Sequence, residues 1–479
     1  MGKYLRLLSG PMLFVVVMVW PMEAIPFAAK AVMAVTSWVA VWWVTEAIPI
    51  PVTSLLPMVL FPMVAGLDLS RISGAYAHPT VFLFMGGFVI ALAIERWDLH
   101  KRIALVTIHM MGTKAALVLF GFMVSTWFLS MWISNTAATL MMLPIAIAVA
   151  NRLQSGSEKG IGLPLMLGIA YAASIGGIST LIGTPTNVIF SAVIKETLLI
   201  DISFAKWLML ALPISILMLM VTWALLYIMF KKNLVAAKIG SDIIGEELRK
   251  LGGISRDEWK VIAVFSVTAL AWITRSFLLE KLIPGLNDTI IAIAGACVLF
   301  MIPASKGDEW IMDWKTAKNI PWGVLLLFGG GLSIATAFKD SGLDVWVGEQ
   351  FAAHNSVSVF GLFFVINASV NFLTELTSNV ATAGILLPLL NSLAKTLDIH
   401  PLLLMAGATL SASCAFMLPV ATPPNAVVFG SGMVTIRQMI KAGVLLNIIS
   451  IFVISIFLWL SMGAIWSIDV FKYPVEIIP

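Results

Sequence analysis

Long apolar segments separated by short polar connections run along the whole chain, and they predict a bundle of membrane-spanning helices. A helix of about 20 apolar residues crosses the hydrocarbon core of a bilayer. Such segments recur throughout, whereas the short alternating strands of a membrane barrel do not. We expect about eleven spans, at 10–24, 27–47, 50–66, 79–95, 161–196, 207–230, 258–280, 287–304, 321–338, 400–430 and 443–466.

Two further stretches, 115–150 and 356–396, do not fit a simple crossing. Each is long enough for two helices, yet a polar tripeptide interrupts it: Ser134-Asn135-Thr136 in the first and Ser378-Asn379-Val380 in the second. Charged segments flank the first stretch on both sides, so both of its ends face the same compartment. The pattern predicts two re-entrant hairpins whose polar tips lie at membrane depth, either buried in protein or facing a wet cavity.

The two tripeptides belong to an internal repeat. They lie 244 residues apart, and Phe-Met-Gly-Gly at 84–87 and Phe-Gly-Gly-Gly at 328–331 keep the same offset. Pro144 and Pro388 keep it as well. Polar residues placed twice at matching points of an apolar chain predict one site built from two halves.

A second paired motif follows each hairpin: Gly183-Thr184-Pro185 and Ala421-Thr422-Pro423. Proline lacks a backbone donor and crowds the preceding turn, so it breaks a helix. We therefore expect broken helices at 161–196 and 400–430, with the breaks close to the hairpin tips.

The distribution of Lys and Arg predicts orientation, because cytoplasmic loops carry an excess of both. The segment 95–114 and, above all, the segment 231–257 are basic. A cytoplasmic N-terminus places both inside, and the second hairpin then enters from the face opposite the first. We expect an extra helix at 1–26, a first repeat at 27–230, a basic cytoplasmic linker at 231–257, an inverted second repeat at 258–466 and an extracytoplasmic tail at 467–479.

Composition supports a membrane protein and narrows its function. Of the 479 residues, 60% are hydrophobic and only 11% are charged, far below the charged share of a soluble domain. The mean hydropathy is +1.00. The net charge of +4 comes from loops, so we expect no nucleic-acid partner. No His-Glu-x-x-His and no Gly-x-Ser-Gly sequence occurs, which argues against an intramembrane hydrolase and an enzyme.

The residue types in the paired motifs suit ion and anion binding. Serine, threonine and asparagine supply oxygen ligands without fixed charge, and a broken helix adds free carbonyl oxygens for a hard cation such as Na⁺. Free N–H groups at a half-helix N-terminus attract an anion. No Lys or Arg lies in these motifs, so bound cations would have to offset the charge of an anionic substrate. Glu375, three residues before the second tripeptide, could shape the site, whereas Glu46 could simply reach the interface.

Through the tripeptides, the broken-helix motifs and the stretch 43–51, the chain resembles the divalent anion/Na⁺ symporter family of dicarboxylate and citrate carriers over essentially its full length. The resemblance implies a homodimer of eleven spans and two hairpins that works by an elevator movement. It implies one Na⁺ at Ser130, Ser134, Asn135 and the backbone of Gly183, and a second at Thr374, Thr377, Asn379 and the backbone of Ala421. It implies substrate contacts at Asn135, Thr184, Ser378, Asn379, Thr422 and Pro423, and at Val380, where the family often has threonine.

The expected function is Na⁺-coupled symport of C4 dicarboxylates (succinate, malate, fumarate) or citrate-like anions across the cell (inner) membrane. A Na⁺-independent carboxylate exchanger of the same fold and a sulfate carrier are alternatives. An ion channel is the alternative from another class, although two opposed hairpins favour occlusion from each side in turn.

Overall fold

The structure is a computed structural model that describes residues 2–22, 25–112, 114–153, 161–236, 243–305, 309–352 and 358–474. These residues form helices and connecting segments and contain no β-strand. Among them, six helical segments are long and apolar enough to cross a membrane, and further apolar helices are shorter. The expected all-helical, polytopic fold is confirmed.

The main helices, numbered in chain order, are α1 (Lys3–Val19), α2 (Phe27–Thr45), α3 (Pro79–Arg96), α4 (Leu99–Met111), α5 (Ala115–Ser130), α6 (Asn135–Leu153), α7 (Gly162–Gly177), α8 (Pro185–Leu198), α9 (Phe204–Met229), α10 (Arg256–Thr274), α11 (Asp288–Met301), α12 (Trp322–Ser341), α13 (Leu343–Ala352), α14 (Val359–Leu373), α15 (Asn379–Thr396), α16 (Pro401–Ala412), α17 (Pro423–Gly430) and α18 (Ile436–Trp466).

The span expected at 50–66 is not one regular helix. It consists of Ile50–Thr53, Leu56–Leu60 and a π-helical turn at Phe61–Ala65. Each of these three segments has a proline in its first turn. Because proline cannot donate to the preceding turn, the segment is divided into short pieces.

Three segments expected to be loops contain helices. Residues 95–114 hold α4, and the loop expected after α12 holds α13. The basic linker contains Lys231–Ala236 and Ile243–Leu251, whereas its residues 237–242, with Lys238, lie outside the described residues. At the hairpin expected from 356, residues 356 and 357 also lie outside them, as do 475–479 of the tail.

Three of the termini of the expected spans were wrong. Helix α1 begins at Lys3 and ends at Val19, not near residues 10 and 24. Helix α18 begins at Ile436, because Thr435 and Gln438 form a reciprocal capping box that satisfies free N–H groups in its first turn.

The linker is fastened to the first half through Arg102 on α4. The buried guanidinium donates to both carboxylate oxygens of Glu258, at 2.6 and 3.2 Å, and to the carbonyl oxygens of Gly252 and Gly253. The helix Ile243–Leu251 packs against α4. Because both charged groups are buried, removal of either one would leave the other without a partner and destabilise the fold.

The two hairpins and the two broken helices pack together at the centre of the fold. The first hairpin, α5 and α6, packs against α7, and the second, α14 and α15, packs against α16. Helix α7 contacts α17, and α8 contacts both α15 and α16. This packing brings the tips at 131–134 and 374–378 next to the breaks at 178–184 and 413–422.

Candidate functional site

The tip of the first hairpin meets the first broken helix through Ser130. Its Oγ is fully buried and lies 2.6 Å from Asn135 Oδ1 and 2.7 Å from the carbonyl oxygen of Ala173 on α7. Ser134 caps α6 by accepting a hydrogen bond from the N–H of Ala137, and it is exposed. The first hairpin tip is thus tied to α7 through oxygen atoms.

The Asn135 carboxamide faces more acceptors than donors. Its side-chain oxygen lies 3.3 Å from each of the carbonyl oxygens of Gly183 and Ala173 and 2.6 Å from Ser130 Oγ. We call these four oxygen atoms the first oxygen set. Only one hydrogen, that of the Ser130 hydroxyl, lies among them, so the oxygens repel one another. That repulsion is relieved either when the amide turns its NH₂ to the carbonyls or when a cation lies among the oxygens. A hard cation that binds oxygens at about 2.4 Å holds neighbouring ligands about 3.4 Å apart, which fits the two 3.3 Å distances, whereas the 2.6 Å distance to Ser130 Oγ is that of a hydrogen bond.

The second half repeats the arrangement. Thr374 Oγ1 is buried and lies 2.6 Å from Asn379 Oδ1 and 2.8 Å from the carbonyl oxygen of Ala412. These three atoms form the second oxygen set. Thr374 and Asn379 hold the places of Ser130 and Asn135 at the offset of 244, so the repeat extends to individual hydrogen-bonding contacts.

The two breaks also match each other. Thr184 directly precedes α8, and Thr422 directly precedes α17, the helices that follow the two breaks. Both threonines have an extended backbone, with φ −141° in each and ψ 145° in Thr184 and 149° in Thr422. The N–H of Gly183 bonds to Thr180, and that of Ala421 to Leu418, each three residues earlier.

The remaining sequence-predicted residues lie around these sets. Ser378 precedes α15, as Ser134 precedes α6, and Pro423 is exposed at the start of α17. Thr377 is bonded elsewhere, since its Oγ1 lies 2.9 Å from the carbonyl oxygen of Leu373 and 2.6 Å from Thr382 Oγ1. Val380 is half-buried and packs against apolar clusters. Glu46 is exposed at the end of α2.

Two asparagines support the breaks, and sequence reasoning gave them no role. Asn187 Nδ2 donates to the carbonyl oxygens of Gly177, Ile178 and Thr180, the last at 2.7 Å. Asn425 Nδ2 donates to those of Ala415 and Leu418 at 3.1 and 3.0 Å. Each asparagine lies three residues after the motif threonine, and this shared spacing was the available signal.

Two glycines allow the close approach in the first half. A Cβ atom on Gly177 would lie 2.4 Å from Asn135 Oδ1, and one on Gly183 would lie 2.5 Å from the carbonyl oxygen of Gly177. Neither distance leaves room for a methyl group, so both positions require glycine as the structure stands.

Glu375 lies next to Thr374 and is 2% exposed. Its Oε1 accepts hydrogen bonds from the N–H groups of Phe416 and Met417 and from Asn447 Nδ2, and its Oε2 accepts one from the N–H of Leu418. The carboxylate thus fastens the second tip to the second break.

Comparisons with known proteins find relatives over nearly the whole chain. A family model described as the sodium:sulfate symporter transmembrane region matches residues 2–471. A protein of Staphylococcus saprophyticus named sodium-dependent dicarboxylate transporter SdcS is 42% identical over 98% of this chain and 93% of its own length. The protein of the same name from Staphylococcus aureus strain USA300 is 43% identical with the same coverage.

Two solved structures share the fold at low sequence identity. The YdaH transporter of Alcanivorax borkumensis superposes with a TM-score of 0.59 at 15% identity and covers 83% of this chain and 88% of its own. The antimetabolite efflux pump MtrF of Neisseria gonorrhoeae gives 0.57 at 13% identity and covers 93% and 97%.

Proposed function

The chain belongs to the sodium:sulfate symporter family of membrane transporters, and we propose that it couples the movement of Na⁺ to uptake of a C4 dicarboxylate such as succinate, malate or fumarate. As a member of this family it is a multi-pass membrane transporter and not an enzyme. The finer features, namely the ions, the substrate and the movement, are the proposal.

The observation that carries the proposal is the first oxygen set. The carbonyl oxygens of Ala173 and Gly183 and the hydroxyl oxygen of Ser130 converge on the Asn135 carboxamide, and together they offer a hard cation several uncharged oxygen ligands. The second oxygen set repeats its core at Thr374 and Asn379. Two Na⁺ ions, one in each set, would supply two positive charges beside the substrate site.

Those charges explain how a dianion could bind here. The tips and breaks contain no Lys or Arg, and an uncompensated dianion in a poorly solvated site is costly. Two bound cations would cancel its charge, while the polar groups of Asn135, Thr184, Ser378, Asn379 and Thr422 and the backbone at Pro423 would orient its carboxylates. The affinity for the substrate would then depend on bound Na⁺, and this dependence is the thermodynamic basis of coupling.

The names of the relatives support a dicarboxylate as the substrate. Proteins 42–43% identical over nearly the whole chain are called sodium-dependent dicarboxylate transporters. The family description names sulfate, which keeps a sulfate carrier as the second candidate. Val380 has a methyl group where a threonine hydroxyl would offer the substrate a further polar contact. Citrate is therefore tested as a competing substrate.

The remaining features of the proposal concern the whole assembly. We place the protein in the cell (inner) membrane as a homodimer, with the N-terminus and the linker 231–257 in the cytoplasm. The two halves are inverted repeats, and the hairpins, the broken helices, α9 and α18 move together in an elevator-like step. The matching oxygen sets and breaks support the repeat, and the basic linker supports the orientation.

The test is uptake of radiolabelled succinate into proteoliposomes that hold the purified protein. Inward gradients of Na⁺, K⁺ or choline are compared at equal ionic strength, and unlabelled citrate and sulfate serve as competitors. We expect succinate uptake only with a Na⁺ gradient. Sulfate at the same concentration as succinate should not reduce that uptake. Uptake that ignores Na⁺ but needs internal dicarboxylate would instead identify an exchanger, and competition by sulfate alone would identify a sulfate carrier.

A further inference from the structure

In both halves the break donates hydrogen bonds to the tip, but the two tips accept them with groups of different charge. In the first half, Thr180 Oγ1 donates to the carbonyl oxygen of Met131 at 2.6 Å. Glu375 lies 244 residues after Met131, and there the tip accepts hydrogen bonds from the break with a side-chain carboxylate and not with a backbone carbonyl. A neutral fastening in one half thus corresponds to a carboxylate in the other.

Every hydrogen bond that Glu375 makes is one that its carboxyl group accepts. It receives hydrogen bonds from three backbone N–H groups and one carboxamide NH₂, at 2.7 to 3.1 Å. All four partners are donors, which an anion prefers and a protonated carboxyl would satisfy less well. The donors are neutral dipoles, so they stabilise the negative charge without cancelling it.

The same contacts fix the backbone of the second break. In a trans peptide the C=O points away from the N–H of the same unit. When the N–H groups of 416–418 point at Glu375, the carbonyl groups of 415–417 are therefore held in fixed directions. The Ala415 carbonyl is held again by Asn425 Nδ2 at 3.1 Å.

We propose that Glu375 is a positioning residue whose buried charge makes the second oxygen set bind Na⁺ more tightly than the first. Glu375 is the residue directly after Thr374, and the Thr374 hydroxyl belongs to the second oxygen set. Met131 gives the first oxygen set no such charge. The inference rests on the proposed Na⁺ coupling, and it adds that the two halves, similar in shape, differ in Na⁺ affinity and are filled in order, second set first.

The experiment is thermal unfolding of the detergent-solubilised full chain, followed by tryptophan fluorescence against Na⁺ concentration, with choline keeping the ionic strength constant. Glu375→Gln keeps the size of the side chain and removes its charge. We expect the Na⁺ concentration for half-maximal stabilisation to rise about tenfold or more, because hydrogen bonds and charges in a poorly solvated site are strong. Thr180→Val removes the neutral fastening of the first half and should shift that concentration less than about threefold.

A charge relocation separates charge from shape. Asn447 Nδ2 lies 2.7 Å from Glu375 Oε1, and Asn447 Oδ1 lies 3.3 Å from the N–H of Phe416. The double variant Glu375→Gln with Asn447→Asp returns a carboxylate to the same cluster, next to the N–H of Phe416. We expect it to recover the wild-type Na⁺ midpoint to within about threefold, with the succinate KM at saturating Na⁺ close to that of the wild type.

The outcomes are distinct. A wild-type protein that does not respond to Na⁺ would refute the proposed function itself. A wild-type response with an unchanged midpoint in Glu375→Gln would overturn only this inference, and so would a double variant that stays as weak as the single one. If Glu375→Gln does not fold, Asn447→Ala, which keeps the carboxylate, decides: a wild-type midpoint supports the inference and a lost Na⁺ response overturns it.

Discussion

Gly177→Ala is expected to abolish Na⁺ binding at the first oxygen set while the fold is kept. The added Cβ would lie 2.4 Å from Asn135 Oδ1, whereas close carbon–oxygen contacts lie near 3.3 Å, so the carboxamide must move by about 1 Å. Asn135 is a side-chain end that can move, so the energetic cost falls on the ion site more than on the fold. Alanine is more favourable than glycine in a helix by about 1 kcal/mol. Gly177 is the last residue of α7, so the substitution should not weaken that helix.

A displacement of about 1 Å exceeds the tolerance of a preorganised site, which is about 0.5 Å. We therefore expect Na⁺-driven succinate uptake to fall at least about a hundredfold, with a melting temperature in the absence of Na⁺ near that of the wild type. The control is Gly331→Ala on α12, where the added Cβ would meet only the Cα of Gly384, at 3.8 Å. Wild-type Na⁺ dependence of uptake in Gly177→Ala would refute the placement of Asn135 in the site.

Four further substitutions, with two control variants, test other parts of the account. Asn135→Ala and Asn379→Ala should each abolish succinate uptake while the protein still folds, whereas the exposed Asn319→Ala should transport normally; wild-type uptake in the first two would contradict the site. Asn187→Leu leaves the buried carbonyl oxygens of Gly177 and Thr180 without this donor, so uptake should fall about tenfold or more. Arg102→Met leaves Glu258 as a buried unpaired charge and should destabilise the fold by about 3 kcal/mol in thermal unfolding. Lys101→Met, which breaks an exposed pair with Asp98, should change stability by less than about 1 kcal/mol.

Much of the architecture could be predicted because polar residues within apolar runs are costly and therefore informative. The two tripeptides and the two proline motifs located the hairpin tips and the breaks, and the family resemblance named Ser130 and Thr374 as ligands in the two halves. The inverted orientation of the halves, the elevator movement and the dimer stay predictions.

Other features could not be predicted because they depend on contacts distant in sequence. Helix α4 was taken for a loop since its basic residues suggested a cytoplasmic connection, yet Arg102 is buried against Glu258, 156 residues away. The role of Asn187 depends on how the break folds back on the start of α8, and no hydrophobic pattern shows that. Glu375 was noted for its place near the second tripeptide, but its donors at 416–418 and Asn447 are brought to it only by the folded chain.

The central claim is that two Na⁺ ions accompany each dicarboxylate, and the zero-flux condition tests it most directly. Proteoliposomes with a membrane potential set to zero are given an inward Na⁺ gradient of about tenfold, and the opposing succinate gradient that stops net flux is found. Two bound ions predict a balance at about a hundredfold succinate gradient or above, because each ion contributes its own gradient to the driving force. A balance at about tenfold would mean one ion per cycle, and a balance without any dependence on Na⁺ would mean none; either result would contradict the two oxygen sets as coupled Na⁺ sites.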